Sequence, residues 1–196
     1  CGTASSAALP LIQDYFDTDI AVVLEPTCLR AADATKNGKI GVLGTPGTIR
    51  SGKYLQTLKR LNSGLEIYTK ACPMFVPLVE NGYLNGPATE IIAKEYLLPL
   101  KQSGIDTLIL GCTHYPLLRP VIQTIMGDAV TLIDAGAETA VFVKQQLYER
   151  DLLCGRGHGS AQYFVSDTVE GFTELAGMFL NQKLEGSVHT VNIESY

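Results

Sequence analysis

The sequence is poor in charge and has no long apolar run. Charged residues make up 18% of the 196 positions, whereas soluble domains usually carry about 25%. The formal net charge is −5, and lysine and arginine form no cluster, which argues against a nucleic-acid-binding surface. No apolar stretch approaches the roughly 18 residues that a membrane-spanning helix needs, and no signal peptide is recognisable. We therefore expect neither nucleic acid nor a membrane as a partner.

The five cysteines lack the pattern of a disulfide framework. They stand at positions 1, 28, 72, 112 and 154, their number is odd, and none forms a CxxC pair. This usage is typical of a reducing compartment, so we expect a cytoplasmic protein. The glycine-rich stretch at 155–159 has neither a GxGxxG nor a GKS or GKT pattern. It is interpreted as a connector, not as a phosphate-binding loop.

What the sequence does contain is an alternation of short apolar runs and amphipathic stretches. Hydrophobic residues make up 46%, enough for a packed core. The apolar runs predict strands over residues 20–24, 38–45, 65–68, 107–110, 130–133, 163–165 and 188–193. The amphipathic stretches predict helices over residues 3–16, 49–61, 87–102, 116–126, 138–148 and 169–180, the last with Phe172, Leu175, Ala176 and Phe179 inward. This alternation predicts an α/β fold with mainly parallel strands.

Two cysteine segments share the same sequence pattern. Cys1 is followed by glycine and threonine, Cys112 by threonine and histidine, and each segment leads into a predicted helix. Parallel α/β sheets bind ligands beyond the carboxyl ends of their strands, and a helix N-terminus lowers the pKa of a thiol. Two such thiols on opposite sides of a cleft would remove a proton from one face of a carbon and return one to the other, as a racemase requires. The alternative is that both cysteines are buried core residues.

Other polar residues carry two interpretations each. His114 either assists proton transfer and orients a substrate, or caps a helix. Thr45 and Thr48 either donate hydrogen bonds to a carboxylate or cap the helix that follows. Glu80 follows an apolar run, where a lone glutamate is usually solvated. A metal site built from Cys1, Cys112 and His114 is a further alternative, although zinc ligands usually come in closely spaced pairs.

The remaining cysteines and the start of the chain need only brief interpretation. Cys28, Cys72 and Cys154 have no polar partner nearby in the sequence and are interpreted as structural. The chain begins at Cys1 without a methionine, and no strand precedes the helix predicted over 3–16. We expect a processed chain, or part of a longer protein that here begins in mid-domain.

Several short motifs stand out in order along the chain. They are CGTAS at 1–5, GVLGTPGT at 41–48, the segment 71–80, GCTHYPLL at 111–118, DAGAET at 134–139, and SD at 166–167. Together they resemble the motifs of bacterial glutamate racemases, in the aspartate/glutamate racemase family; the first and fourth resemble the two catalytic cysteine motifs. The resemblance covers essentially the whole chain.

The resemblance implies a cofactor-independent racemase that interconverts L- and D-glutamate and supplies D-glutamate for peptidoglycan. Cys1 and Cys112 would be the two catalytic bases. The reaction would need neither a metal nor pyridoxal phosphate, and neither cysteine segment contains a lysine to hold the latter. The candidate substrate-binding residues are Gly2, Thr3, Thr45, Thr48, Glu80, Thr113 and His114.

The same resemblance implies two similar, Rossmann-like α/β domains that face each other. One would comprise residues 25–137. The other would combine residues 1–24 and 138–196 and be incomplete in this chain. We also expect a homodimer, as the family tends to dimerise.

The chain departs from the family pattern in two ways. Gly2 stands where family members commonly carry asparagine, so a side-chain contact to the substrate is lost. Family members also begin roughly seventy residues earlier, with an Asp-Ser-Gly motif that contacts substrate. We expect this chain by itself to be impaired or inactive and the intact protein to be the enzyme.

Three rival functions remain. A related racemase acting on aspartate or a hydantoin differs only in its specificity pocket. An amidohydrolase with Cys1 as an N-terminal nucleophile should show many antiparallel strands, not strands alternating with helices. A lipoprotein-like binding module anchored at Cys1 should carry a flexible polar tether, where this sequence predicts a helix.

Overall fold

The computed structural model describes residues 2–7, 15, 19–155, 159–181, 184 and 188–195. Its strands are β1 Lys39–Gly44, β2 Glu66–Ala71, β3 Thr107–Leu110, β4 Thr131–Asp134, β5 Tyr163–Val165 and β6 Val188–Thr190. Its α-helices are α1 Gly2–Ala7, α2 Leu24–Ala34, α3 Pro46–Arg50, α4 Lys53–Leu61, α5 Phe75–Glu80, α6 Pro87–Gln102, α7 Arg119–Met126, α8 Ala135–Glu149 and α9 Val169–Leu180. Short 3₁₀ helices cover Tyr115–Leu118 and Ile193–Ser195.

Four parallel strands form the main sheet, in the order β2-β1-β3-β4. At its centre, Val42 of β1 pairs with Thr69 of β2 on one side and with Ile109 of β3 on the other. The strands alternate along the chain with helices, because parallel neighbours need a crossover connection. The predicted α/β class with mainly parallel strands is therefore confirmed.

The central strands are buried on both faces. Ile40, Val42 and Leu43 of β1 are fully buried, as is all of β3, and such continuous apolar runs are typical of a sheet covered on both sides. One face packs against α2 and α4, in a cluster that contains Leu24, Cys28, Ala31, Tyr54, Leu58, Ile40, Val42, Ile109 and Ile133. On the other face, a β-carbon at Gly41 would meet Ile105, Leu108 and Leu100 of α6.

One predicted strand is wrong. Residues 19–23 form no strand, and α2 begins at Leu24. Leu24, Cys28 and Ala31 recur at helical spacing and are buried on one helix face. Pro26 lies in the first turn, where its missing N–H costs no hydrogen bond. This helical spacing outweighs the strand signal of the apolar run.

Other predicted elements need adjusted boundaries. The helix predicted over 49–61 is two helices, because Gly52 between them has a φ of +67°, a left-handed conformation that glycine adopts readily. The helix predicted over 116–126 starts as the 3₁₀ turn Tyr115–Leu118. Helix α8 starts three residues earlier than predicted, because Asp134 caps it by accepting from the backbone N–H groups of Gly136 and Ala137. Of the helix predicted over 3–16, residues 8–14 and 16 lie outside the described part. The last predicted strand is shorter, Val188–Thr190.

The contacts divide the chain into two compact units, residues 1–152 and 153–196. In the second unit, β5 and β6 pair in parallel, and Tyr163 contacts Phe172 of α9. Ala176 of α9 is buried as predicted. Phe179, in the last turn of α9, is 36% exposed and so less buried than predicted. The main sheet lies wholly within residues 25–137, and the domain boundaries at 24 and 137 stay a prediction.

No helix of the described residues is both long and apolar enough to cross a membrane.

Candidate active site

The sheet order creates a crevice between β1 and β3. From β1 the chain moves outward to β2, and then returns to the opposite side of β1 for β3 and β4. Adjacent strands whose connections leave in opposite directions form a topological switch point, where α/β proteins bind ligands at the carboxyl ends. Thr45 follows β1 and Cys112 lies two residues after β3, so both lie at this crevice.

A glycine brings the two strand ends into direct contact. The Gly111 N–H donates to the carbonyl of Leu43 at 2.9 Å. A β-carbon at Gly111 would lie 2.5 Å from that same carbonyl oxygen, closer than any side chain tolerates. Glycine at position 111 thus lets the chain deliver Cys112 directly beside the end of β1.

Three threonine hydroxyls meet at the end of β1. Thr3 Oγ1 lies 3.0 Å from Thr45 Oγ1 and 3.1 Å from Thr48 Oγ1, and the latter two are 3.0 Å apart. Thr45 is also the N-cap of α3, accepting from the Thr48 N–H. The structure therefore supports both interpretations of Thr45: it caps a helix, and its hydroxyl belongs to a cluster at the crevice. Thr3, from the first cysteine segment, joins this cluster.

Cys112, His114 and Glu80 form a chain of contacts. His114 Nδ1 lies 3.8 Å from Cys112 Sγ and 3.3 Å from Thr113 Oγ1. His114 Nε2 lies 3.1 Å from Glu80 Oε1. A carboxylate only accepts hydrogen bonds, so in the neutral ring the proton sits on Nε2 and Nδ1 is the acceptor facing the thiol. Glu80, the last residue of α5, is half exposed but is not simply solvated, because it pairs with the histidine.

The environment of Cys112 raises its pKa. Burial is the largest cause, and it outweighs the lowering by hydrogen bonds from the backbone of His114 and from Thr113. The predicted lowering of this pKa by a helix N-terminus is therefore wrong. The physical reason is burial, which outweighs the backbone N–H groups that favour the thiolate; a single 3₁₀ turn follows Cys112, and α7 begins only at Arg119. Deprotonation of this thiol needs a base, and His114 Nδ1 is the group in place.

The other cysteines have different surroundings. Burial raises the pKa of Cys28 to about 12 and that of Cys72 to about 12, which keeps both thiols protonated and agrees with a structural role. Cys154 is exposed. Cys1 lies outside the described residues, whereas Gly2 is buried. No group of three or more His, Cys, Asp or Glu side chains within the described residues is arranged to hold a metal.

Sequence reasoning missed two aromatic residues around Cys112. Tyr115 donates from its hydroxyl to the Cys72 carbonyl at 3.2 Å and packs edge-on against Phe75. It thus ties the 3₁₀ turn after Cys112 to the end of β2, where α5 with Glu80 begins. The Tyr54 ring lies against Gly111, with Cε2 3.3 Å from where a β-carbon would be. Tyr115 stands within the GCTHYPLL motif, so the sequence carried a signal for it. No sequence motif pointed to Tyr54.

Comparison with known proteins places the chain in a family. Residues 1–143 match the family described as Asp/Glu/Hydantoin racemase. A glutamate racemase of Geobacter metallireducens is 43% identical over 196 residues, which cover all of this chain and 72% of the relative. A glutamate racemase of Corynebacterium diphtheriae is 43% identical over 198 residues, covering all of this chain and 72% of that protein.

Solved structures give the same result. Glutamate racemase isoform RacE1 from Bacillus anthracis superposes with a TM-score of 0.93 at 36% identity, covering 98% of this chain and 72% of that one. Glutamate racemase from Francisella tularensis, in complex with D-glutamate, gives a TM-score of 0.91 at 29% identity, covering all of this chain and 73% of that one. On its family match, its identity to these relatives and its fold, the chain belongs to the Asp/Glu/Hydantoin racemase family.

Proposed function

We propose that this protein is an isomerase that interconverts L- and D-glutamate, with Cys1 and Cys112 as opposed acid and base. The observation that carries this proposal is the contact chain Glu80–His114–Cys112 at the switch point of the sheet. It joins a thiol to a base and the base to an orienting carboxylate, the arrangement that activates a protein nucleophile or base. The relatives named glutamate racemase point to glutamate as the substrate.

Proton transfer at Cys112 begins with its resting thiol. The Cys112 S–H gives its proton to His114 Nδ1, while Glu80 holds the Nε2 proton and stabilises the imidazolium that forms. The thiolate then takes the α-proton of one glutamate enantiomer: a C–H bond breaks and an S–H bond forms. The Cys1 thiol gives a proton to the opposite face of the same carbon, so a new C–H bond forms and Cys1 becomes the thiolate. The imidazolium proton of His114 then passes to solvent, and the Cys1 thiolate takes up a proton from solvent, which restores both thiols. In the reverse reaction the two cysteines exchange roles.

The threonine hydroxyls are the proposed binding groups for the substrate carboxylates. Thr3, Thr45 and Thr48 bond to one another at the crevice, and each hydroxyl can rotate to donate to a carboxylate oxygen. Thr113 and the backbone N–H of Gly2 complete the set near the two cysteines. His114 and Glu80 line the same region as part of the proton path.

Several wider features belong to the same proposal. We infer that the reaction uses no metal and no pyridoxal phosphate, and that the D-glutamate product serves peptidoglycan synthesis. A cytoplasmic location agrees with five cysteines that show no pairing pattern.

We further infer a homodimer, and two α/β domains divided at residues 24 and 137. Light scattering of the purified protein tests the dimer, since a monomer mass at working concentration would contradict it.

The activity is tested by incubating the purified intact protein with single enantiomers of glutamate, aspartate and a substituted hydantoin. A chelator is present and no cofactor is added, and optical rotation is followed. We expect the L- and D-glutamate samples to converge on zero rotation while the aspartate and hydantoin samples change little. Racemisation of only aspartate or only the hydantoin would replace glutamate as the substrate. No racemisation by a folded sample would contradict the proposed function.

A further inference from the structure

Gly2 lies in direct contact with the segment that carries Cys112. Gly2 is buried at the start of α1. A β-carbon added there would lie 2.6 Å from the carbonyl oxygen of Gly111, 3.6 Å from its carbonyl carbon and 3.8 Å from Thr48 Oγ1. The nearest atom is backbone, so no side-chain rotation can relieve the contact. The absence of a side chain at position 2 is therefore what permits this approach.

The two glycines adjoin the two proposed catalytic cysteines. Gly2 is bonded through its peptide to Cys1, and Gly111 to Cys112. Gly111 is itself fixed by its N–H donation to Leu43 at 2.9 Å and by the Tyr54 ring. On the other segment, Thr3 bonds to Thr45 and Thr48. The contact between Gly2 and Gly111 thus joins two segments: one is held by the threonines that follow β1, and the other follows β3 and is bonded to the end of β1.

We propose that Gly2 is a positioning residue that sets the separation of the two cysteine segments in this chain. This inference rests on the proposed two-cysteine racemase function. With any side chain at position 2, α1 must lie about 0.8 Å farther from Gly111 to reach an ordinary contact distance, which begins at 3.4 Å. Misplacement of reacting groups by about 1 Å costs on the order of 100-fold in rate. Gly2 therefore acts by keeping the two cysteine segments close together. A side chain at position 2 moves them apart, so that proton delivery by one thiol no longer follows promptly on proton removal by the other.

The same geometry distinguishes spacing from a lost side-chain contact. Family members commonly carry asparagine at this position, and an asparagine has the same β-carbon as an alanine. If Gly2 acts through spacing, Gly2→Ala and Gly2→Asn widen the gap alike and lower kcat by a similar factor, roughly 10- to 100-fold. If the position matters only for binding, Gly2→Asn lowers KM and leaves kcat at the wild-type value.

The decisive experiment follows deuterium in D₂O during early turnover of L- and D-glutamate. In the wild type, product carries deuterium at the α-carbon while recovered starting enantiomer stays protonated. In Gly2→Ala we expect deuterium to accumulate in the recovered starting enantiomer, because delivery by the displaced second thiol is slow, the first thiol exchanges the proton it took for deuterium from D₂O, and it then returns that deuterium to the same face of the carbon. Partial unfolding lowers exchange and racemisation together, so the ratio of the two reports spacing and not folded fraction.

Gly47→Ala is the matched control. Gly47 lies in α3 beside the same Thr3 side chain, but its added β-carbon would meet Thr3 Cγ2 at 3.6 Å, an ordinary contact. We expect wild-type activity and a wild-type exchange ratio. If Gly2→Ala has no activity, crosslinking replaces the exchange measurement. In a Cys154→Ser background, a short bifunctional thiol reagent should link Cys1 to Cys112 more slowly in Gly2→Ala than in the parent.

The outcomes separate this inference from the proposed function. Intact, folded wild-type protein that exchanges neither enantiomer would overturn the racemase proposal itself. Active wild type with an unchanged exchange ratio, or an unchanged crosslinking rate, in Gly2→Ala would overturn the role of Gly2 alone. Restored or improved kcat in Gly2→Asn would overturn it as well.

Discussion

The two ends of the parallel sheet use polar side chains in opposite ways. At the amino end, the Asp106 carboxylate accepts from Thr35 Oγ1 at 2.6 Å, from the backbone N–H groups of Lys36 and Asn37 at 2.7 and 2.8 Å, and from Thr107 Oγ1 at 3.0 Å. At the carboxyl end, side chains pair mainly with other side chains: threonine with threonine, and His114 with Glu80 and Cys112.

This difference assigns stability to the amino end of the sheet and chemistry to its carboxyl end. A carboxylate saturated by backbone and hydroxyl donors fixes one loop conformation and has no capacity left for a ligand. Hydroxyl, imidazole and thiol groups that hydrogen-bond to each other can replace one of these partners with a substrate atom, because each group can act as a donor or as an acceptor. Since ligands bind at the carboxyl ends of such sheets, substitutions at that end should affect turnover, whereas those at the amino end should affect folding.

The largest predicted effect is the loss of Cys112. Cys112→Ser should lower racemisation roughly 10³-fold or more, because a serine hydroxyl is far too weak an acid and base for this proton transfer. One enantiomer should still take up deuterium with retained configuration, through Cys1 acting alone. NMR of the α-proton in D₂O measures both. Cys154→Ser, at an exposed thiol, is the control and should retain activity. Racemisation at the wild-type rate in Cys112→Ser would contradict the assignment.

A smaller loss is predicted at His114. His114→Asn should reduce kcat about 100-fold, a typical contribution of a general base, with melting temperature little changed. Glu80→Gln should cost less, about 10-fold, because the ring stays but its Nε2 partner weakens. The double variant should be no slower than His114→Asn, since Glu80 acts through the histidine. Additive losses would show that Glu80 acts independently. His189→Asn, at an exposed histidine, is the control and should retain activity.

At the amino end, the predicted effect falls on stability. Asp106→Asn should lower the free energy of unfolding by about 1 to 2 kcal/mol, because an amide replaces a charged acceptor of several hydrogen bonds, while kcat stays unchanged. Denaturant titration and initial rates on the same sample measure the two quantities. Asp128→Asn, at an exposed carboxylate, should change neither. A fall in kcat without a fall in stability would contradict the division between the two ends.

The pH dependence of stability sharpens this contrast. Burial raises the pKa of Asp106, but hydrogen bonds from Thr35, from Asn37 and Lys36 backbone groups and from Thr107 outweigh it, so the pKa lies below its ordinary value. A lowered pKa means that the stabilisation is present above the unfolded pKa of about 3.9 and is lost as the pH falls through the folded pKa. Asp106→Asn should therefore flatten the acid limb of the stability curve.

The smallest predicted effect concerns Tyr54. Its hydroxyl is the one buried side-chain polar atom of the described residues without a hydrogen-bond partner, and an unsatisfied buried group costs about 1 to 3 kcal/mol. Tyr54→Phe keeps the ring against Gly111 and removes that cost. We expect equal or higher stability, by up to about 1 kcal/mol, and unchanged kcat. Destabilisation measured by thermal melting would show that the hydroxyl has a partner.

The sequence predicted the fold best where the periodicity was strong. Helix α6 and strand β3 match their predicted bounds to the residue, because the Pro at the first helical position and the fully apolar TLIL run are clear local signals. The failures arose where two signals competed. The apolar run at 20–24 indicated a strand, but the helical spacing of Leu24, Cys28 and Ala31 prevailed through burial against the sheet.

The site was predicted in part. The motifs identified Cys112, His114, Thr45 and Thr48, because a polar residue directly after a parallel strand must lie at its carboxyl end. The pairing of Glu80 with His114 spans 34 positions and was invisible to local patterns. The raised pKa of Cys112 likewise depends on tertiary burial, which outweighs the local hydrogen bonds that favour the thiolate. Such long-range contacts are set by strand order, which the sequence does not reveal directly.

The central claim is that two opposed thiols carry out the proton transfers at the crevice. Early-turnover isotope analysis of the wild type in D₂O tests it most directly. We expect product glutamate to carry deuterium at the α-carbon from its first appearance, because the donating thiol has equilibrated with solvent and differs from the accepting one. Product that retains the original α-proton would mean that one group removes and returns the same proton, and would contradict the two-cysteine account.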